Sequence, residues 1–271
     1  MTPKQKEKII KAGKIASEIK TWIKPQIKKG ILLIELAEKI ENKIVELGGK
    51  PAFPTNLSIN EIAAHFTPSH DDKTIAEGLL KVDFGVHVDG FIADTAFSID
   101  LENSAENKKL IEASEKGLHA GIEKIKEKKS IGEIGEAIQK AIESYKFSPI
   151  VNLTGHEMNE YELHSGLTIY NVKNSRDEKL HKGLYAVEPF STNGSGKIYE
   201  GKASEIYLLI SDKNIRNPEA RKLLNFLVDE YQTLPFCLRW IGAVLGLVAP
   251  LSKVGLLFAP HAAPLSLAKE T

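Results

Sequence analysis

Apolar positions recur at a helical period over the first 47 residues, and this pattern predicts two amphipathic helices. The first is expected within residues 4–27, with apolar positions at Ile9, Ala12, Ile15, Ala16, Ile19 and Ile23. The second follows Gly30, with apolar positions at Leu33, Leu36, Ala37, Ile40, Ile44 and Leu47. Gly48-Gly49 is a typical helix stop, and the stretch from Pro51 to Leu57 is expected to be extended.

This order of helix, helix and strand returns later in the chain. The apolar positions of the second helix recur 98 positions on, as Leu36/Ile134, Ile40/Ile138 and Ile44/Ile142. The tripeptide that begins at Asn56 recurs 96 positions on at Asn152. We interpret the pattern as a degenerate internal duplication. The alternative is that any two amphipathic helices align this well. Two similar halves that face each other would enclose a cleft, where sites usually form.

Residues 79–100 predict a β-hairpin. Asp89-Gly90 stands between two alternating runs, which is a strong signal for a two-residue turn. That turn would pair Val88 with Phe91 and Gly85 with Asp94.

In this register two acidic residues share one face of the hairpin. Asp83 and Asp94 become diagonal neighbours, roughly 7–8 Å apart at their Cα atoms. Two carboxylates on an otherwise apolar hairpin repel each other and lose hydration, and divalent cations would reverse that cost. The alternative is a solvent-facing polar face on an edge hairpin.

Further ligand candidates lie downstream. His156 and His164 follow the second-half strand, Glu188 is a lone acid within an apolar run, and His65 follows the first-half strand. For each histidine taken alone, an ordinary polar or core residue is the favoured interpretation. Together the set holds two Asp, one His and one Glu, which suits Mn, Fe, Co or Zn better than a cysteine-rich structural zinc site would.

Several sequence motifs resemble those of archaeal-like type 2 methionine aminopeptidases, which belong to the pita-bread metallopeptidases. The motifs are NLSINEIAAH, VDFGVHVDGFIADTA, NLTGH, AVEPF and TLPFCLRW. The resemblance covers nearly the whole chain. It implies an α+β pita-bread (creatinase/aminopeptidase) fold with two pseudo-symmetric halves around a curved antiparallel sheet. Residues 1–271 would form a single catalytic domain, with a helical insertion at about 212–262.

The same resemblance implies a mechanism that uses two divalent metal ions, Co, Mn, Fe or Zn. Asp83 would chelate one ion, Asp94 would bridge both, and His156 and Glu188 would bind the other. Water activated by the two metals would attack the first peptide carbonyl and release the initiator methionine of nascent proteins.

The resemblance also implies residues that contact the substrate. His65 and His164 would bind substrate and the developing tetrahedral intermediate, and Phe53 and Phe66 are expected to line the apolar pocket for the methionine side chain. A sibling class on the same fold, the proline-directed peptidases, is the alternative enzyme.

One family feature is missing from this sequence. The family has a fifth ligand, a Glu in a motif like QxEHT on its final strand, and no such motif follows Trp240. We therefore expect the final strand to be missing and the chain to be less stable and poor in metal. A fragment, a frameshift and a loss of catalysis would each explain the difference. The alternative function is a catalytically impaired homologue that acts as a binding protein.

Composition and charge limit the expected partners and cellular location. Lys and Arg number 36, as do Asp and Glu, so the formal net charge is zero and neither DNA nor a membrane is expected as a partner. The single cysteine, Cys237, excludes an intramolecular disulfide, and no signal peptide is found. We expect a cytoplasmic monomer that works near the ribosome on the N-terminal Met of nascent peptides.

Overall fold

The computed structural model describes residues 1–201, 204–211, 216, 218–245, 258–260 and 265–267. Its helices are α1 (Pro3–Ile23), α2 (Leu33–Glu46), α3 (Ala105–Lys126), α4 (Ile131–Glu143), α5 (Pro218–Glu230) and α6 (Leu238–Leu245). Its strands are β1 (Lys50–Ile59), β2 (Ile62–Ala64), β3 (Leu79–Val88), β4 (Phe91–Asp100), β5 (Ser148–Pro149), β6 (Thr154–Asn159), β7 (Glu162–Tyr170), β8 (Leu184–Ala186), β9 (Ser191–Thr192), β10 (Ile198–Glu200), β11 (Ile206–Leu209), β12 (Phe236–Cys237), β13 (Phe258–Pro260) and β14 (Leu265–Leu267).

In the first half, α1 and α2 cover an antiparallel sheet ordered β1-β3-β4. Thr2 begins α1 with a capping box in which its side chain and that of Gln5 each bind the other's backbone N–H. The predicted apolar stripes are the buried faces of both helices. Members of this core that are fully buried include Ile19, Ile23, Leu33, Leu36, Ile40, Ile44, Leu80 and Phe84.

The β3–β4 hairpin has the predicted register. Val88 pairs with Phe91 and Gly85 with Asp94, because Asp89 and Gly90 both take positive φ values, 48° and 82°, in the two-residue turn. Strand β1 pairs with the other edge of β3 and shifts register between Phe53 and Asn56.

The second half repeats the architecture with α3 and α4 against the sheet β7-β6-β8. Ile134, Ile138 and Ile142 are fully buried, as are their counterparts on α2. The two helices pack closely at Gly121, where a Cβ atom would lie 3.0 Å from Ile138 Cδ1.

The strand predicted after α4 is interrupted, unlike its counterpart β1. Strand β5 has only two residues and pairs with β9, and β6 begins at Thr154. The chain turns between them because the Asn152 side chain binds the backbone of Ile198 at both its N–H (3.0 Å) and its C=O (2.8 Å).

Helices α5 and α6 lie in the segment predicted as an insertion, and they enclose a small apolar core with β12. Tyr231 stacks on both Phe236 and Trp240, at centroid distances of 5.4 and 5.7 Å. Cys237 is fully buried beside them. The bounds 212–262 stay a prediction, since residues 212–215, 217, 246–257 and 261–262 lie outside the described part of the chain.

The expected lack of a final strand is corrected by two short strands after α6. Strand β13 pairs with β11, and β14 pairs with β10 on one side and β2 on the other. The backbone of an apolar tripeptide, Leu265–Leu267, is enough to bridge those two edges, although it offers no carboxylate. No helix among the described residues is both long and apolar enough to cross a membrane.

Candidate metal centre

Three of the predicted ligands meet where the two halves face each other. Asp94 lies on β4, His156 on β6, and Glu188 two residues beyond β8. His156 Nε2 lies 3.5 Å from Asp94 Oδ2 and 3.0 Å from Glu188 Oε1. One ligand atom from each residue falls within 4.8 Å of the others. The arrangement therefore offers two carboxylates and one imidazole to a single cation.

Backbone packing in the second half fixes these positions. His156 pairs with Ala186 across β6 and β8, and a side chain at Gly155 would collide with the Ala186 carbonyl. Glycine thus lets the two strands approach closely just before the histidine. The buried Asn171 side chain donates to the Glu188 carbonyl at 2.8 Å, which holds the segment that carries the acid.

Asp83 lies beside this trio on the neighbouring strand. It stands diagonal to Asp94 in the observed hairpin register, and Asn56 Nδ2 donates to its Oδ2 at 3.3 Å. Burial, followed by the charges of Asp94 and Glu188, raises the pKa of the Asp83 carboxyl well above its ordinary value. Burial likewise raises the pKa of Glu188.

These pKa shifts test whether the residues fit a metal. Three carboxyl groups and one imidazole lie together, and the carboxylates disfavour each other's charge. A divalent cation removes that conflict, since it attracts every one of these donors. The mostly oxygen donor set, with one nitrogen and no sulfur, suits Mn, Fe, Co or Zn. The residues present therefore fit a divalent metal ion.

The two carboxylates beside His156 favour its protonated form when no metal is bound. Burial works against its charged form, but hydrogen bonds to Asp94 and Glu188 outweigh burial and raise its pKa to about 10. An imidazole must be neutral to bind a metal, so a cation has to displace this proton.

The two remaining histidines lie on different halves of the molecule. The His164 ring on β7 meets the His156 ring edge to face, with centroids 4.2 Å apart. His65 follows β2 in left-handed backbone, with φ of 62°. Leu57 N donates to Phe66 O at 2.7 Å, so the His65 segment is tied to β1, the strand that carries Asn56.

Comparison with known proteins identifies the family. The model of metallopeptidase family M24 matches residues 7–215. The chain belongs to metallopeptidase family M24.

Curated relatives of this M24 chain are methionine aminopeptidases. The one from Methanocaldococcus jannaschii is 48% identical over 238 residues, which are 87% of this chain and 80% of the relative. The one from Thermococcus onnurineus is 42% identical over 264 residues, 94% of this chain and 89% of the relative. The solved methionine aminopeptidase of Rickettsia prowazekii superposes with a TM-score of 0.68 at 26% identity, over 74% of this chain and 85% of that one. The resemblance to archaeal methionine aminopeptidases and the pita-bread fold are thus confirmed.

The two predicted pocket residues of this M24 chain lie in different cores. Phe53 is 5% exposed and covers Gly85, the partner of Asp94 in the hairpin. It packs in an apolar cluster between the halves, with Ala52, Ile92, Met158, Leu163, Ala186 and Leu234. Phe66 instead packs against the core of the first half. Of the two, Phe53 is the one that the structure brings beside the ligands.

Several supporting residues escaped the sequence analysis. Asn56 was noticed only as part of a repeated tripeptide, and its contact with Asp83 follows from the register shift in β1. Glu157 is buried next to His156, where it accepts from Leu167 N at 3.0 Å and meets His181 Nε2 at 2.7 Å. The sequence signal for Glu157 is an acid in a predicted strand directly beside a candidate ligand.

Proposed function

We propose that this chain is a metal-dependent aminopeptidase that removes the initiator methionine from nascent proteins, with water activated by two divalent ions as the nucleophile. The observation that carries the proposal is the meeting of Asp94, His156 and Glu188, with Asp83 beside them, in an M24 chain. The names of the curated relatives supply the substrate class.

The ligand roles are those that the family resemblance implies. Asp83 would hold one ion and Asp94 would bridge both, while His156 and Glu188 would hold the other. When bound, such a metal pair supplies a water nucleophile near neutral pH and a Lewis acid for the peptide carbonyl. Asn56 orients Asp83 through its hydrogen bond, and Asn171 orients Glu188 through the backbone.

Substrate contacts come from the surrounding side chains. His164, whose ring touches that of His156, would donate a hydrogen bond to the developing oxyanion, and His65 would contact the same peptide group. The apolar cluster around Phe53 would accept the methionine side chain, because it lies beside the ligands and between the halves. Phe66 would act only as support from the first core.

The setting completes the proposal. A nascent-chain substrate would place the protein in the cytoplasm near the ribosome, and we propose that it acts there as a monomer. Residues 1–271 would form one catalytic domain, and the segment at about 212–262, with α5 and α6, would be an insertion within it.

Peptide hydrolysis tests the proposal directly. The purified chain is stripped with chelator, reloaded with Mn or Co, and offered Met-Ala-Ser or an Xaa-Pro dipeptide. Metal-dependent release of methionine from Met-Ala-Ser is the expected result. Cleavage of the Xaa-Pro dipeptide alone would assign the chain to the proline-directed class. Metal binding without hydrolysis of either peptide would favour the binding-protein alternative.

A further inference from the structure

Glu41 on α2 and Arg239 on α6 form a buried ion pair outside the metal centre. Their residues are 7% and 8% exposed, and they are 198 positions apart in sequence. Arg239 Nη1 donates to Glu41 Oε2 at 2.5 Å and Nη2 donates to Oε1 at 3.0 Å, which is a bidentate geometry. Trp240 Nε1 adds a third donor at 2.8 Å.

Glu41, the acidic member of this pair, contacts the strand that supports Asp83. Glu41 Oε1 accepts from the backbone N–H of Thr55 at 3.1 Å. Thr55 lies in the irregular part of β1, between the pairs Phe53↔Gly85 and Asn56↔Asp83. The carboxylate therefore holds the point at which the register shifts, and the shift sets Asn56 opposite Asp83.

Arg239, the basic member of the pair, contacts the segment after His65. Arg239 Nη2 lies 3.4 Å from Thr67 Oγ1, and its Nε donates to the Pro68 carbonyl at 3.2 Å. These residues follow His65 by two and three positions. The guanidinium thus anchors the chain just beyond a histidine whose own backbone is in the left-handed region.

We propose that the Glu41–Arg239 pair positions two parts of the metal centre at once, the Asn56–Asp83 contact and the His65 segment. The inference rests on the proposed function. A buried ion pair is weak evidence for stability, because apolar residues of similar volume often replace one without loss. The backbone and side-chain groups that this pair binds on β1 and after His65 give it a second role that an apolar pair could not fill. Both residues act through others and touch no reacting atom.

The experiment compares Arg239→Lys with a matched surface variant in the full chain. Arg239→Lys keeps the charge but removes the bidentate fork and the donors to Thr67 and Pro68. Glu230→Gln breaks the exposed Lys50–Glu230 pair, which also joins β1 to α5, at 2.8 Å. Readouts are Mn²⁺ affinity by calorimetry, kcat and KM on Met-Ala-Ser, and the urea midpoint. A double variant, Glu41→Leu/Arg239→Met, serves if the single variant does not fold.

We expect Arg239→Lys, or the folded double variant, to lower kcat and Mn²⁺ affinity by about 10-fold or more, the effect typical of losing support behind a ligand. KM should change less than kcat, and Glu230→Gln should match the parent. A folded variant with parental kcat and Mn²⁺ affinity overturns the inference while the proposed function stands. If the parent chain binds Mn²⁺ but does not hydrolyse the peptide, the inference is tested by Mn²⁺ affinity alone: a parental affinity in the variant overturns it, and a weakened affinity supports it. A parent that neither binds metal nor cleaves peptide overturns both.

Discussion

The two halves share a scaffold and differ in what they bring to the centre. Ile40 on α2 and Ile138 on α4 occupy equivalent fully buried positions. The repeated asparagine, however, makes different contacts in the two halves. Asn56 aims its amide at Asp83, whereas Asn152 binds the backbone of Ile198. The repeat therefore preserved the helical packing, while polar positions at the strand diverged.

The ligands divide in the same way. The first half contributes only carboxylates, Asp83 and Asp94 from one hairpin. The second half contributes an imidazole and a carboxylate, His156 on β6 and Glu188 just beyond β8, and these two strands pack closely at Gly155. Neither half alone holds the full donor set, so the cation would join them.

Removal of the Asp94 carboxylate, which lies where the two halves meet, should have the largest effect. Asp94→Asn is expected to reduce metal-dependent hydrolysis by more than the roughly 10–100-fold that follows loss of an outer-shell partner, because it removes the proposed bridging ligand. Initial rates and Mn²⁺ calorimetry measure this. Asp89→Asn is the control, since Asp89 sits exposed in the turn of the same hairpin. Parental rates in Asp94→Asn would contradict the ligand assignment.

Truncation of the helical cores should have equal effects in both halves. Ile40→Ala and Ile138→Ala are each expected to lower the free energy of unfolding by about 2–5 kcal/mol, since both leave a cavity in a fully buried site. Urea denaturation of the two variants side by side provides the comparison. A cost confined to one half would show that only one core supports the fold.

The repeated asparagines should separate metal affinity from stability. Asn56→Ala is expected to weaken Mn²⁺ binding by about 10-fold. Its cost in folding should be small, because among the described residues its Oδ1 finds no hydrogen-bond partner. Asn152→Ala should instead lower the free energy of unfolding by about 1–2 kcal/mol, since it frees both backbone groups of Ile198. Equal affinities in the two variants would remove the distinction.

A further expected effect is the dependence of stability on pH in chelator. The folded pKa of His156 is about 10, above its ordinary value of 6.5. Its contribution to stability is therefore complete below pH 6.5 and is lost as the pH rises toward 10. The free energy of unfolding should fall across that window, by at most about 1.4 kcal/mol per pH unit for one proton.

Matched urea titrations check the sign of this pH effect. They are made on the parent and on His119→Gln, a variant of an exposed histidine on α3. The parent and His119→Gln should both lose stability as the pH rises. A third protein, His156→Gln, should lose less stability over the same pH range. Stability that rises from pH 6.5 to 9 would contradict the assignment of a protonated His156 between two carboxylates.

The sequence predicts those parts of the fold and of the candidate site that depend on contacts between residues close together in the chain. The hairpin register follows from a two-residue turn, so the diagonal placement of Asp83 and Asp94 could be read directly. The helical faces follow from apolar periodicity. The Glu41–Arg239 pair could not be foreseen, because Glu41 looks like any acid on an amphipathic helix and its partner is 198 positions away. The irregularity in β1 that brings Asn56 to Asp83 is also a matter of tertiary packing.

The buried thiol of Cys237 provides a natural probe of the region around α5 and α6. Burial raises its pKa to about 12, so in the closed molecule almost none of it exists as the reactive thiolate at neutral pH. Alkylation can then proceed only during excursions in which the aromatic stack around Tyr231 opens. The rate of labelling at this one sulfur would therefore report the free energy of local opening in this region, without any engineered reporter.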